Sequence, residues 1–420
     1  MHTLRIDPRH ARGYLPFRMF ARRTGWPLEP NPLTLEIAAR RAKGLPVFDL
    51  TESNPTRCGF DYDATAILEA FANPAFAGSL SYEPDPRGLL AARQAVAGYY
   101  AERGVAVEPE QIFLTTSTSE AYSFAFRLLA DPGDNVLVPA PSYPLFEYLA
   151  VLADVELIHY PLDYDHGWGI RLEAVEVLMN ARTRAILLVH PNNPTGSFVK
   201  QAESAALAKF AKQHDTAIIA DEVFFDYSLE SETPSPAANQ EPKGASHAAH
   251  SDALTLMLSG LSKICALPQM KLAWLIVSGP ERERQQAIER LEIIADTYLS
   301  VATPLALALP RLLETRRAIQ PQILKRLGQN LDCLDSKLRG GSPIRRLEAE
   351  GGWYVVLKVP AHRSDEEWAV ELVRGEGVLV HPGHFYDFAM DGFLVLSLLP
   401  RPEVFEEGIT RLVDLAGATD

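Results

Sequence analysis

The sequence has little sulfur and no long apolar run. Three cysteines, Cys58, Cys265 and Cys333, are scattered over 420 residues. That count and spacing match neither a disulfide framework nor a metal site, and they fit a reducing, cytoplasmic setting. No apolar stretch reaches the roughly 20 residues that span a bilayer, so no membrane partner is expected. Positive charge is also short. The 40 Lys and Arg stand against 54 Asp and Glu, a formal net charge of −14, which argues against a general nucleic-acid binder. Apolar material is plentiful at 47% of residues, enough for one large domain and a smaller one.

The first residues run against the acidic balance. Arg5, Arg9, Arg12, Arg18, Arg22 and Arg23 face a single acid, Asp7. The composition is that of a transit peptide, but Pro8, Pro16, Tyr14, Phe17 and Phe20 and the lack of an apolar h-region favour an arm packed on a partner subunit. Asn31-Pro32 reads as a cap and a first-turn proline, predicting a helix to Lys43 stopped by Gly44.

From Val47 onward apolar runs alternate with helical spacing. Strands are predicted at 47–50, 111–116, 136–138, 155–160, 185–189, 216–220, 254–258 and 272–277, with helices between them, the clearest at 201–213. Such alternation builds a mostly parallel sheet covered by helices on both faces, with ligands at the carboxyl ends of the strands. Residues 228–252 break the pattern. Rich in Ser, Pro, Ala, Glu and His, they read as a mobile excursion in which His247 and His250 are solvated. Beyond Gly279, helices lead to strands at 351–357 and 392–398 with a helix at 365–375, a smaller α+β module.

The chemistry gathers at strand ends. Lys263 lies in residues 257–274, MLSGLSKICALPQMKLAW, between two apolar runs. Burying an ammonium is costly unless it is paired or neutralised, and a desolvated lysine is an amine nucleophile able to form Schiff bases. Ser259, Ser262 and the second cation Lys271 suit a phosphate. So do Ser117 and Thr118, in TTSTSEA (115–121), where a strand meets a helix N-terminus. In HPNNPTG (190–196), Asn193 offers an amide to a ring oxygen. In AIIADEVF (217–224), Asp221 ends an apolar strand and wants a cationic partner. Tyr143, in Pro141-Ser142-Tyr143-Pro144, offers a face for stacking. Cys265 reads as a small packed residue.

HPNNPTG, ADEV and SGLSK, in that order and with a cation eight positions after the lysine, resemble the fold-type I pyridoxal-phosphate enzymes, the class I/II aminotransferases. The likeness runs from Val47 to the C-terminus, through Ser81-Tyr82 and the closing Pro382-Gly383 and Leu396-Ser397. It implies an aspartate aminotransferase-like α/β fold. A large cofactor domain (47–295, with 228–252 as its mobile loop) would carry a mostly parallel, seven-stranded-type sheet. An N-terminal arm and helix (1–46) would precede it and a small α+β domain (296–420) would follow. It also implies pyridoxal 5'-phosphate as cofactor, an amino acid or amine donor, a 2-oxo acid acceptor, and a ping-pong cycle in a cytoplasmic homodimer with shared sites. By resemblance, Lys263 forms the Schiff base and carries the proton, Asp221 pairs with the ring nitrogen, Asn193 meets the ring oxygen and Tyr143 stacks. Ser117, Thr118, Ser259, Ser262 and Lys271 hold the phosphate, and Tyr82 reaches it from the other subunit. No metal is implied.

Three positions depart from the family's pattern. Phe224 stands where a ring-oxygen tyrosine is usual, Lys271 where the phosphate arginine is usual, and Val395 where an arginine grips the substrate carboxylate. Asn54, in Ser53-Asn54-Pro55-Thr56-Arg57, and Arg401 are the candidates for the substrate side, with Arg57 and His381 near the entrance. The departures leave two alternatives beside transamination: lyase or decarboxylase chemistry on the same fold, and a cofactor-binding protein without turnover. Restoring the hydroxyl with Phe224→Tyr should lower the pH midpoint of the bound cofactor's absorbance change by about one unit, the worth of one hydrogen bond to a charged group. A spectral titration with an unmoved midpoint would refute the assignment.

Overall fold

The computed structural model describes residues 19–26, 28–72, 78–229, 244–250, 252–299, 301–339 and 341–418. In chain order its strands are β1 (Phe48–Asp49), β2 (Ile112–Thr115), β3 (Asn135–Ala140), β4 (Glu156–Tyr164), β5 (Trp168–Ile170), β6 (Thr183–Val189) and β7 (Ala217–Asp221). They continue with β8 (Thr255–Gly260), β9 (Ala273–Ser278), β10 (Arg345–Arg346), β11 (Tyr354–Lys358), β12 (Val378–Leu379), β13 (His381–Pro382) and β14 (Phe393–Ser397).

One sheet has the order β2-β9-β8-β7-β6-β3-β4-β5. From β8 across to β4 the neighbours are parallel, and β9 runs antiparallel between β8 and β2. Seven of these strands make the mostly parallel sheet read from the sequence. β5 adds an eighth by folding back on β4; three residues are too few to show a period. The strands β2, β7, β8 and β9 are buried along their whole length. Strands covered on both faces read as unbroken apolar runs, so the sequence located them. Alternate residues feed two cores. Phe113, Leu187, Ile219 and Leu256 face the helices Thr118–Leu129 and Glu281–Tyr298. Leu114, Leu188, Ile218 and Met257 face the other way, with helices Leu90–Ala101 and Gln201–Gln213.

The smaller sheet has the order β10-β11-β14-β13 and is antiparallel. The helices Arg316–Leu338 and Pro402–Gly417 belong with it. β1, read from the sequence as opening the large domain, pairs instead with β12, Phe48 opposite Val378 and Asp49 opposite Leu379. Leu50 then accepts a hydrogen bond from Ser397 N at 2.7 Å. A two-residue strand carries no pattern that says which sheet it joins.

Part of the N-terminal arm rests on its own chain. Arg23 pairs with Asp154, and Trp26 meets Tyr148 edge-on at 5.6 Å. Arg5, Arg9, Arg12 and Arg18 lie outside the described residues. Most of the excursion, 230–243 and 251, does too, but its far end is packed against the large domain. His247 is not solvated: it is 1% exposed. The buried carboxylate of Glu222 needs donors, and this segment supplies them through His247 N at 2.6 Å, Ser246 Oγ at 2.6 Å and His247 Nδ1 at 3.1 Å.

Strand register brings three ends together. Thr115 lies opposite Ala273, and Ala273 opposite Gly260. A Cβ on Gly260 would stand 2.7 Å from Ala273 Cβ and 2.9 Å from its Cα, so only glycine lets β8 and β9 close where the Lys263 turn begins. Gly260→Ala is therefore expected to lower the melting temperature, at a cost of about 1–3 kcal/mol for overpacking. Gly98→Ala, in a helix with nothing within 4 Å of the new methyl, should match or exceed wild type in the same thermal melt, because alanine outdoes glycine in a helix.

Candidate active site

The connection between β8 and β9 carries Lys263 in a four-residue helical turn, Leu261–Ile264. Leu261 N donates to Leu272 O at 3.0 Å, closing the connection on itself. Its amine lies 4.7 Å from the centre of the Trp353 ring and 5.2 Å from that of Phe224. Burial pulls the Lys263 pKa down to about 8, and the charge of Asp221 partly offsets this. Asp221 ends β7 at 6% exposure, and burial pushes its carboxyl up to about 6. Two hydrogen bonds resist that rise, from Val223 N at 3.0 Å and from the Tyr122 hydroxyl at 2.8 Å. Each shift disfavours the ionised form by about 3 kcal/mol at order of magnitude. The two groups therefore sit within reach of each other's charge, with neither charge well solvated. Such a site favours a ligand that brings a cation to the carboxylate and takes the amine as a nucleophile.

Asn193 follows β6 and is 6% exposed. Its carboxamide oxygen has no hydrogen-bond partner among the described residues. Buried polar atoms are normally paired, so this oxygen asks for a donor beside it, while the amide nitrogen is the atom able to give a hydrogen to a ring oxygen. Tyr143 follows β3, and its hydroxyl is held neutral by burial, with Tyr354 and Asp221 adding to the effect. Ser117 caps the helix Thr118–Leu129 by accepting from Glu120 N at 3.2 Å, which leaves its hydroxyl proton free to donate. Thr118 is the first residue of that helix. Because Thr115, Ala273 and Gly260 are neighbours in the sheet, Ser117 and Thr118 share one edge of the site with Ser259, Ser262 and Lys271. Lys271 is exposed, in a left-handed conformation with φ 51°. These residue types fit pyridoxal phosphate: a lysine for its aldehyde, a carboxylate for its ring nitrogen, and hydroxyls and a cation at a helix start for its phosphate.

Other expected residues stand apart. Tyr82 is 75% exposed and faces solvent in the single chain. Asn54 spends its side-chain oxygen capping its own turn, on Thr56 N at 3.1 Å and Thr56 Oγ1 at 2.8 Å. The Arg401 guanidinium lies over Gly59, where an added Cβ would sit 2.7 Å from its Nε, and the residue is exposed there. Arg57 is exposed, 4.0 Å from Glu52. Val395 is fully buried between Val356 and His381 across the small sheet. Cys265 is buried and its thiol is pushed up to about 12, so it is a packed residue and no nucleophile.

Tyr122 and Trp353 escaped the sequence reading. Tyr122 lies one helical turn beyond the quoted serines, and only the fold turns it onto Asp221. Trp353 follows two glycines into β11, a sign of close backbone approach that named no partner. Its indole nitrogen is buried and has no partner among the described residues.

The family profile described as aminotransferase class I and II matches residues 46–412. The chain is 28% identical to glutamate-pyruvate aminotransferase AlaA of Haemophilus influenzae, over 91% of this chain and 93% of that protein. It is 25% identical to an alanine aminotransferase of Mycobacterium tuberculosis, over 91% and 88%. Among solved structures, an aminotransferase from Escherichia coli matches with a TM-score of 0.78 at 25% identity, covering 92% of this chain and 95% of that one. An alanine aminotransferase from Pyrococcus furiosus reaches 0.80 at 24% identity, covering 92% and 96%, and supports the fold.

The two strained charges give a test. A carboxyl raised to about 6 from its ordinary 3.8 contributes its full stability below about pH 4 and loses it as the pH rises through 6. In the ligand-free chain, Asp221→Asn should therefore melt at or above wild type at pH 7.5, with the gap closing toward pH 4. The same variant should bind pyridoxal phosphate roughly a hundredfold more weakly, because a buried charge on the ligand loses its partner. Thermal melts and a fluorescence titration check both halves; a pH-independent drop in melting temperature would contradict the first.

Proposed function

This chain belongs to the class I and II aminotransferases, enzymes that use pyridoxal phosphate, and on that premise we propose how its residues divide the work of moving an amino group from a donor to a 2-oxo acid. When bound, pyridoxal phosphate supplies an aldehyde for the lysine and a cationic ring that draws electrons from the substrate. Lys263 is the catalytic residue. With its pKa pulled to about 8, a useful share of its amine is unprotonated near neutral pH, and Nζ takes and returns the proton of the reacting carbon. Asp221, held by Tyr122 and Val223 N, would keep the ring nitrogen protonated. Asn193 would meet the ring oxygen and Tyr143 would stack. Ser117, Thr118, Ser259, Ser262 and Lys271 would hold the phosphate. Phe224 and Trp353 flank the amine and keep water from it. The observation that carries the reading is that Lys263 and Asp221, both desolvated, act on each other's charge at one end of the sheet.

The donor leaves as its oxo compound before the acceptor enters, so one set of residues serves both half-reactions. We infer a cytoplasmic homodimer in which Tyr82, exposed on the single chain, completes the partner's phosphate site. The charge balance gives no support to a nucleic-acid partner. Asn54 and Arg401 remain substrate-side candidates, though their contacts described above lie elsewhere. The relatives' names make L-glutamate, L-alanine and pyruvate the first compounds to try. The apolar Val395 favours adding primary amines that lack a carboxylate.

The test is a donor screen against pyruvate and 2-oxoglutarate with nitrogen-15-labelled donors. Label is expected in the newly formed amino acid, with Lys263→Ala lowering turnover by at least about a thousandfold, the scale of losing an essential nucleophile. Product released from the donor with no label reaching the acceptor would instead favour lyase chemistry, the reading that Phe224 and Val395 leave open.

A further inference from the structure

Residues 349–353 are bound unusually closely to the large domain just before Trp353. Ser228 forms an antiparallel bridge with Gly351, Leu229 N donates to Glu350 O at 2.8 Å, and Gly352 N donates to Tyr227 O at 2.8 Å. On the other side, Glu350 N donates to Gly196 O at 3.1 Å. Two glycines make the crossing possible. A Cβ on Gly196, at φ 72°, would stand 2.6 Å from Gly351 O, and one on Gly351 would stand 2.8 Å from Tyr227 O. The Glu350 side chain then reaches back to the start of the helix Gln201–Gln213. It accepts from Phe198 N at 2.9 Å and pairs with the Lys200 ammonium.

Glu350 thus ties three pieces of the site. Its carboxylate holds the exit of the turn that carries Asn193. Its carbonyl holds the exit of the turn that carries Phe224. Three residues further on, Trp353 packs 5.2 Å from Phe224 and 5.1 Å from Tyr227 between ring centres and lies over the Lys263 amine at 4.7 Å. Tyr354 follows, 6.2 Å from Phe224 between ring centres.

We propose that Glu350 is a positioning residue for transamination, setting Trp353 and Tyr354 against Lys263 by clamping their strand to the Asn193 turn. It touches neither Lys263 nor Asp221; it acts through Trp353. The proposal rests on the aminotransferase reading, and wild-type enzyme tests that reading separately, since wild type must aminate the acceptor before any variant is compared.

The experiment uses holoenzyme of wild type, Glu350→Ala and Glu350→Gln with the best donor from the screen. It reads kcat and KM, visible circular dichroism of the bound cofactor, and the melting temperature. Glu350→Ala removes both side-chain bonds and keeps the backbone pairing. It is expected to lose roughly tenfold to a hundredfold in kcat/KM, mostly in kcat, as displacement of about an ångström costs an enzyme, and to change the cofactor's dichroism. Glu350→Gln retains an acceptor for Phe198 N and should recover most of the loss. A merely structural role would lower the melting temperature while leaving dichroism and kcat/KM per folded molecule within about twofold of wild type, and that result overturns the proposal. Should Glu350→Ala not fold, Lys200→Met breaks the ion pair from the other side. A severalfold loss in kcat with altered dichroism then supports the assignment, and wild-type values for both refute it.

Discussion

Two opposite charges, each disfavoured by burial, lie within reach of one another at the sheet's end, and the surrounding structure serves to keep them there. The Asp221 carboxyl is pushed up and the Lys263 amine pulled down by the same loss of water. Left alone, such a pair invites neutralisation by proton transfer. Tyr122 and the backbone of Val223 hold the carboxylate ionised enough to act, while the aromatic faces of Phe224 and Trp353 surround the amine without giving it an acceptor. The resulting tension is released by a ligand that carries both an electrophile and a cation. A site built this way gives up stability in the empty chain for affinity in the loaded one.

Geometry comes from strand register more than from loops. Asp221, Asn193, Tyr143 and the Ser259–Ser262 turn all lie at or just past the carboxyl ends of parallel strands, and Lys271 stands two residues before the antiparallel β9 at that same edge. Rigid strands fix where each side chain starts, and short connections leave little freedom afterwards. The glycines work at crossings: Gly260 lets β8 and β9 touch, and Gly196 lets the Asn193 turn pass under the strand that brings Trp353.

Much of this was legible in the residues. The fully buried strands announced themselves as continuous apolar runs, and the polar clusters fell where such strands end. What escaped were features decided by partners distant in sequence. β1 is two residues long and its neighbour lies beyond the whole large domain. Tyr122 is one residue of an amphipathic helix until β7 brings Asp221 beside it. Glu350 carries no motif, because its meaning is a contact with Lys200 and Phe198. His247 looked solvated because its segment is polar, yet that polarity answers the buried Glu222. Arg401 looked like a replacement for the missing arginine at Val395; its guanidinium rests on Gly59, and spacing along a chain does not reveal direction.

The pairing of β1 with β12 has a bearing on how the chain comes to exist. Phe48 leaves the ribosome early, whereas its neighbour Val378 emerges about 330 residues later. At elongation rates of about 5–20 residues per second that interval is roughly a quarter of a minute to a minute. Throughout it, the edge of β1 has no strand to pair with, and the larger module must fold before that pairing can form. Sheet completion is thereby made the closing act of biogenesis, and a chain truncated near its carboxyl end would keep an unsatisfied β-edge that chaperones and proteases can recognise.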